Sequence, residues 1–458
     1  MKLRHWVPLL AGLVTGCAEP LKAPNVVVIV VDTLRSDHVS SYGYARGTTP
    51  NIDALAARGR RYTDVHSTAP WTLPSHASLF TGKFPFEHGA EARKDEQGNF
   101  HDAWPLAQSE TTLAEVLEAE GYETAAFVAN AGYVTERTGL DQGFDEFTSK
   151  RMKGDQVVAE TLEWIDGTDG PFFAFLNLMD AHRKYNVAPQ PDAAERGLPP
   201  PPEGDMGELL DKLCLAVLGT DQPPPPELVR AAIDAYDLGI ANADRAVGEL
   251  VAQLKLRGLD DDTLYVVVSD HGEYFGEHDL AEHSKDVYEP ALRIPLVVVP
   301  PHSTEGKVES EPVSIADVPR FVLAELPDKL RRHVPRFPGS GGERGMIAEL
   351  HFTRSKDMNS PWGPRFDRER EVMLANGWKL IVSSDGKNEL YHLPTDPGEQ
   401  RNLFADDPER SAKLVERLHG LMRHGAAKGG AAPRDLTDEE RRILAETGYA
   451  DAPKDEQR

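Results

Sequence analysis

Cysteine is nearly absent: of 458 residues only Cys17 and Cys214 carry a thiol. Two thiols cannot build a disulfide framework, so stability rests on a hydrophobic core and on any bound metal. Positive charge is also scarce. Lys and Arg number 50 against 75 Asp and Glu, a net charge of −25. That balance argues against a nucleic-acid-binding surface, which needs a basic face. It also means that an anionic substrate must be met by locally placed metal or basic groups. Long apolar runs are missing as well. Val7 to Val14 is too short to span a bilayer, and no later segment reads as transmembrane. There is no internal repeat.

What is present begins with an address. Lys2 and Arg4 precede the apolar run, and Val14-Thr15-Gly16-Cys17 resembles a bacterial lipobox. The expectation is a signal peptide over 1–16, a lipidated Cys17 and a tether over 17–24. That places the protein in the cell envelope, held at the membrane by lipid. A disulfide to Cys214 is then ruled out.

Valine-rich apolar runs at Asn25–Val31, Thr124–Ala129, Phe172–Leu178, Leu264–Ser269 and Ile294–Val299 read as strands buried on both faces. Helical patterns lie between them at Thr111–Glu120, Gln156–Ile165 and Pro226–Arg257. The alternation predicts an α/β unit over 25–338 with a doubly wound, mostly parallel sheet flanked by helices. Ligands of such sheets gather at the carboxyl ends of the strands. The proline-rich stretch at about 187–226 reads as a surface insertion with stiff flanks around a short helix, Gly207–Leu218. After a Gly-Ser-Gly-Gly joint at 339–342, short strands at Met346–Leu350, Val372–Leu374, Trp378–Val382 and Glu389–His392 predict a small antiparallel sheet. With a helical segment it forms a subdomain over 345–450, followed by a tail over 451–458.

The chemistry concentrates at strand ends. Asp32 follows the first strand, and Asp270-His271-Gly272 follows another. Asp and neutral His ligate Zn²⁺ or Mn²⁺, and carboxylates also suit Ca²⁺. Thr72 opens the segment Thr72-Leu73-Pro74-Ser75-His76 at a predicted helix start, where backbone N–H groups favour anions. A hydroxyl held there beside a metal can attack an anionic ester. Asp180 and His182 follow the strand Phe172–Leu178, and His283 and Lys285 lie in a loop dense in Glu and His. These positions complete the candidate site, and Asp180, His182 and His283 form a candidate second metal set.

Taken together, the segments resemble the sulfatase family of the alkaline-phosphatase superfamily. The matching text includes PNVVVIVVDTLRSDHVSSYGY, APWTLPSHASLFTGKFPFEHG, NLMDAHRKY, VVVSDHGEYFGEH and ELYHLPTDPGEQRNL. The resemblance implies an alkaline-phosphatase-like fold, a divalent metal and an anionic ester substrate. It gives Asp32, Asp270 and His271 as metal ligands, with Thr72 at the nucleophile position and also on the metal. It places His182 opposite the leaving oxygen. His283 is similar to a histidine twelve residues past the D-H-G histidine in phosphoethanolamine transferases, and Lys285 lies near the lysine many sulfatases use to bind sulfate. Departures matter equally. The family motif C-x-P-S-R, source of formylglycine, reads T-L-P-S-H here, and a threonine cannot yield that aldehyde. His76 replaces the arginine, and Thr33 replaces the second Asp of the usual D-D pair. Arg93 stands where phosphate-handling relatives place Asn, and Asn130 lies where G-K-W-H-L-G is usual; both are candidate substrate-binding positions. Threonine nucleophiles are characteristic of phosphodiesterase and phosphoethanolamine-transferase relatives.

The reading is a metal-dependent hydrolase of sulfate or phosphate esters, with Thr72 as nucleophile and a preference for phosphodiester or phosphonate ester. Catalytic candidates are Thr72, His76, His182, His283 and Lys285. Two rivals stand beside it: a phosphoethanolamine-type transferase, and a non-catalytic envelope lipoprotein using the fold as a binding module. Turnover of an aryl phosphodiester with bound metal separates the last from the first.

Overall fold

The structure is a computed structural model that describes residues 23–95, 98, 100–220, 222–328, 345–425 and 436–446. The signal segment, Cys17, the glycine-rich joint and the terminal tail lie outside the described residues.

Eight strands form the central sheet: β1 (Asn25–Val31), β2 (Arg60–Tyr62), β3 (Glu123–Val128), β4 (Glu146–Ser149), β5 (Phe172–Leu178), β6 (Thr263–Val268), β7 (Leu296–Val299) and β8 (Lys307–Glu309). Their order is β8-β2-β7-β6-β1-β5-β3-β4. β1 runs parallel to both β5 and β6, while β7 is antiparallel to β6 and β2. The sheet is therefore mixed and mostly parallel, as the alternation of strands and helices implies. The outer strands β8 (at the edge) and β2 (beside it) are short and carry charged residues, so no apolar run announces them.

Period-two alternation along β1 divides the core. Val26, Val28 and Val30 pack with Leu73, Ala77 and Phe80 of α1 (Thr72–Thr81). Val27, Ile29 and Val31 pack with Val157 and Leu162 of α2 (Gly154–Ile165), Leu210 and Leu213 of α3 (Met206–Leu218), and Ala243 and Val247 of α4 (Pro226–Leu256). The proline-rich insertion is more firmly packed than a surface loop. Met206, Leu210, Leu213 and Val217 recur at helical spacing and are buried. Asp205 caps α3 by accepting from Glu208 N at 3.0 Å. The second proline run ends at the first residue of α4, where the missing N–H is tolerated. Cys214 lies half-buried against this core.

Beyond the joint, β9 (Met346–His351), β10 (Glu369–Ala375), β11 (Trp378–Ser383) and β12 (Glu389–His392) pair antiparallel in sequence order. One face covers Leu414 and Leu418 of α5 (Pro408–Gly425). The other, with Met346, Ala348, Leu350 and Val372, joins the α1 side of the main core. Buried ion pairs strengthen this seam. Arg370 grips Asp286 through two hydrogen bonds of 3.0 and 3.1 Å, and Lys379 lies between Glu289 at 2.9 Å and Glu399 at 2.7 Å.

Candidate active site

Four strand ends and one helix start converge. β1 delivers Asp32, β6 delivers Asp270 and His271, β3 runs on to Asn130, β5 ends in Asn177 and runs on to His182, and α1 begins at Thr72. All of these side chains are buried. Trp71, the residue preceding α1, contributes no capping hydrogen bond, so the first turn of α1 keeps its N–H groups and positive dipole end for a ligand.

The hydrogen bonds fix each carboxylate by one oxygen. Asp270 Oδ1 accepts from Thr33 N at 3.1 Å and from His271 N at 2.9 Å. Asp32 Oδ2 accepts from Asn130 Nδ2 at 2.9 Å and Asn177 Nδ2 at 3.2 Å. The remaining oxygens, Asp32 Oδ1 and Asp270 Oδ2, are buried without any hydrogen-bond donor. His271 donates Nδ1–H to the Gly272 carbonyl at 3.0 Å, which leaves its Nε2 lone pair facing Asp270 Oδ2 at 3.3 Å. One ligand atom from each of Asp32, Asp270 and His271 lies within 4.8 Å of the others. Two orphaned carboxylate oxygens and an open imidazole nitrogen fit a divalent cation, since an uncompensated pair of buried carboxylates is otherwise costly. Thr72 Oγ1 borders this set, 3.5 Å from His271 Nε2 and 3.3 Å from Asn130 Nδ2.

Electrostatics follow from burial. Burial and the neighbouring Asp32 push the Asp270 carboxyl well above its ordinary value. Burial likewise drives His182 and His76 down to about 4 and holds His283 well below its ordinary value. The imidazoles are therefore neutral near pH 7 in the absence of an anion, the form that ligates metal. Glu273 is pushed up to about 7, again by burial.

Other buried histidines gather around this set. His182 and His283 have ring centroids 5.0 Å apart, and His283 and His271 are 4.7 Å apart. His182 donates Nδ1–H to the Arg183 carbonyl at 2.7 Å, which aims Nε2 away from that loop. His76 donates to the Thr72 carbonyl at 2.9 Å within α1 and packs edge-on to Phe175 and Phe80; its Nδ1 also stands 3.6 Å from Asp270 Oδ2, so it borders the metal-capable group. Lys285 Nζ donates to Asp357 Oδ2 at 2.6 Å, and burial lowers it to about 8.

Two predicted positions lie apart from this group. Asp180 turns to the start of α2, accepting from Gly154 N at 2.9 Å and from Asn186 Nδ2 at 2.6 Å. The second metal set of Asp180, His182 and His283 therefore does not assemble: among the described residues the one metal-capable group is Asp32, Asp270 and His271. Arg93 donates to the Gly89 carbonyl and stacks over Trp104 at 4.9 Å. Thr33 sends its hydroxyl to the Ala181 carbonyl at 2.7 Å. It holds φ 61° under that bond, the Asp270 bond and the Tyr236 hydroxyl on its carbonyl. Gly272 is required by close approach, because a Cβ there would stand 2.0 Å from the Pro290 carbonyl oxygen.

Some residues escaped sequence reasoning. Asn177 was visible as the single amide in the apolar run Phe172–Leu178. Glu273 directly follows the D-H-G triplet; neither of its buried oxygens has a hydrogen-bond partner, and its Oε1 stands 3.5 Å from His283 Nδ1. The hairpin register Tyr274↔Glu282 sets Glu273 opposite His283. Arg354 and Asp357 come from the C-terminal unit, with Arg354 Nε 2.8 Å from Asp357 and its Nη2 2.5 Å from Glu282. No local signal marked them.

The Sulfatase family profile matches residues 24–326. The chain belongs to the sulfatase family. As a family member it is a sulfatase-type ester hydrolase; the family typically binds a divalent metal, and Asp32, Asp270 and His271 form a buried group able to hold one. The chain is 24% identical over 462 residues to an ulvan-active sulfatase of Formosa agariphila, covering 88% of this chain and 82% of that protein. Its fold superposes on the phosphonate monoester hydrolase of Agrobacterium radiobacter with a TM-score of 0.64 at 19% identity, covering 90% of this chain and all of that one (100%). A sulfatase-like fold solved with its substrate D-glucosamine-2-N,6-O-disulfate gives 0.65 at 19% identity, covering 88% and 98%.

Proposed function

We propose that the protein hydrolyses an anionic ester with Thr72 as nucleophile, phosphodiesters or phosphonate esters being preferred over sulfate esters. The observation that carries this reading is the position of Thr72 Oγ1: first residue of an uncapped helix, buried, 3.5 Å from His271 Nε2 and beside the donor-less oxygens of Asp32 and Asp270. Asp32, Asp270 and His271 would hold a divalent ion whose Lewis acidity acidifies the hydroxyl and neutralises the ester's non-bridging oxygens. The nitrogen donor and the loss of a carboxylate at Thr33 favour Zn²⁺ or Mn²⁺ over Ca²⁺.

The chain's own groups do the rest. Thr72 Oγ1 attacks phosphorus or sulfur in line with the leaving oxygen. The α1 N-terminus stabilises charge growing on the equatorial oxygens. Asn130 Nδ2, shared between Asp32 and Thr72, orients the nucleophile. An anionic ester offsets the burial that keeps His182 and His283 neutral, and one of them protonates the leaving oxygen. Water then frees Thr72. The relatives bracket the substrate class, one named for ulvan, one for phosphonate monoesters and one bound to a disulfated sugar. The test is a quenched turnover of an aryl phosphodiester followed by peptide mass spectrometry: a phosphoryl adduct on Thr72 supports the reading. A sulfate ester cleaved orders of magnitude faster than any phosphodiester overturns the preference. An adduct on another residue overturns the nucleophile.

A further inference from the structure

Beside the reaction centre lies a cleft of about 440 Å³ whose wall carries Arg151, Lys153, Arg183 and Lys184 against one carboxylate, Asp180. In a chain of net charge −25 that local excess stands out, and three other clefts set their cations beside acids. Asp180 does not neutralise the opening. Its carboxylate is turned inward onto Gly154 N and Asn186, with only 4% of the residue exposed. Lys153 and Lys184 are exposed, and among the described residues neither makes an ion pair.

The cleft shares chain neighbours with the site. Its wall includes Ala129, next to Asn130, whose amide reaches Thr72 and Asp32. It also includes Arg183, whose carbonyl holds the His182 ring at 2.7 Å. The proline-rich insertion braces this wall. Arg183 pairs with Asp211 of α3, and the Lys184 stem lies so close to α3 that a Cβ on Gly207 would be 3.0 Å from its Cε.

We infer that this cleft is a subsite for a second anionic group of the substrate, held by Lys153 and Lys184. The substrate is then an ester carrying a further carboxylate, sulfate or phosphate beyond the one attacked. This rests on the placement of the scissile ester at Thr72. A lysine ammonium suits an anion whose distance from the ester varies, because it is a point charge on a flexible stem. Exposed ammonium groups act strongly only at modest salt.

The test uses a one-anion aryl phosphodiester and a series of the same ester bearing a sulfonate on arms of increasing length. Wild type should show a KM at least about fivefold lower for the best-armed ester at low salt, and the advantage should fade at high salt. Lys153→Met/Lys184→Met should lose that advantage while KM for the one-anion ester changes less than about twofold. Calorimetric binding of the same esters to Thr72→Ala repeats the comparison without turnover, so failure of the Thr72 chemistry leaves the subsite test intact. No preference at any arm length in wild type, or an undiminished preference in the double variant, overturns the subsite.

Discussion

Replacing Asp270 with asparagine should stabilise the metal-free protein while abolishing its response to metal. The open oxygens of Asp32 and Asp270 belong to a group spanning at most 4.8 Å. Two unit charges at that distance repel by about 3.5 kcal/mol at an effective dielectric constant near 20. The metal-free protein escapes part of this by keeping a proton on Asp270, whose carboxyl burial and Asp32 push well above its ordinary value. The recoverable gain is then about 1–3 kcal/mol. Asparagine retains the acceptor that takes Thr33 N and His271 N, and its amide can donate to the orphaned Asp32 Oδ1. The pH sign follows from the raised carboxyl. Wild-type stability attributable to Asp270 is intact below about pH 4 and lost as pH rises, so the variant's advantage should be absent in acid and largest near neutrality. With metal at a hundredfold excess over its dissociation constant, wild type should gain about 2.7 kcal/mol and the variant nothing. Thermal unfolding of both proteins, with chelator and with Zn²⁺ or Mn²⁺, reads all four values. A metal-free variant less stable than metal-free wild type, with an undiminished metal shift, would refute the reasoning.

Four further outcomes follow from named contacts. Thr72→Ala should lower kcat by about three orders of magnitude or more with metal content retained, and Thr72→Ser should keep part of the activity, as steady-state kinetics and metal analysis will show. Asp286→Asn should cost about 3 kcal/mol at pH 7 by denaturant unfolding, since it removes the carboxylate shared by Arg370 and Arg368 and leaves buried Arg370 with Glu389 as its remaining carboxylate, at 2.8 Å. Burial opposes ionisation of Asp286, but Arg370 and Arg368 overcome it and hold the carboxyl below its ordinary value. That stabilisation is present above about pH 4 and lost as pH falls below it, so the two proteins should converge in acid. Lys379→Met strands Glu289 and Glu399 together, and should destabilise by a similar amount of about 3–5 kcal/mol and loosen the seam with β9–β12, seen as faster hydrogen exchange there. Cys17→Ala should release the protein from the membrane fraction, and an unmodified mature N-terminus elsewhere would end the lipoprotein proposal.

Much of this was legible along the chain because it is local. Asn25–Val31, Phe172–Leu178 and Glu389–His392 form strands at the residues their apolar patterns marked. Asp32 and the D-H-G triplet could be placed at strand ends because a doubly wound sheet presents its carboxyl ends on one side. The short outer strands Arg60–Tyr62 and Lys307–Glu309 were not readable, since three residues with charged side chains carry no periodicity. The helix in the proline-rich insertion was expected, but its burial was not, because a stripe of apolar residues does not name the surface it covers.

The sequence by itself determined the apolar strands, the start of α1 and the residue types that chemistry requires, since these depend on neighbours a few positions away. Tertiary structure alone decided which oxygens were left without donors. Asp32 is held by Asn130 and Asn177 and Asp270 by Thr33, contacts 98, 145 and 237 residues apart. It also turned Asp180 away to Gly154 and brought Asp357 to Lys285 across 72 residues. Long-range packing sets which side chain meets which, and with it the burial and charge that make a threonine at a helix start into a candidate nucleophile.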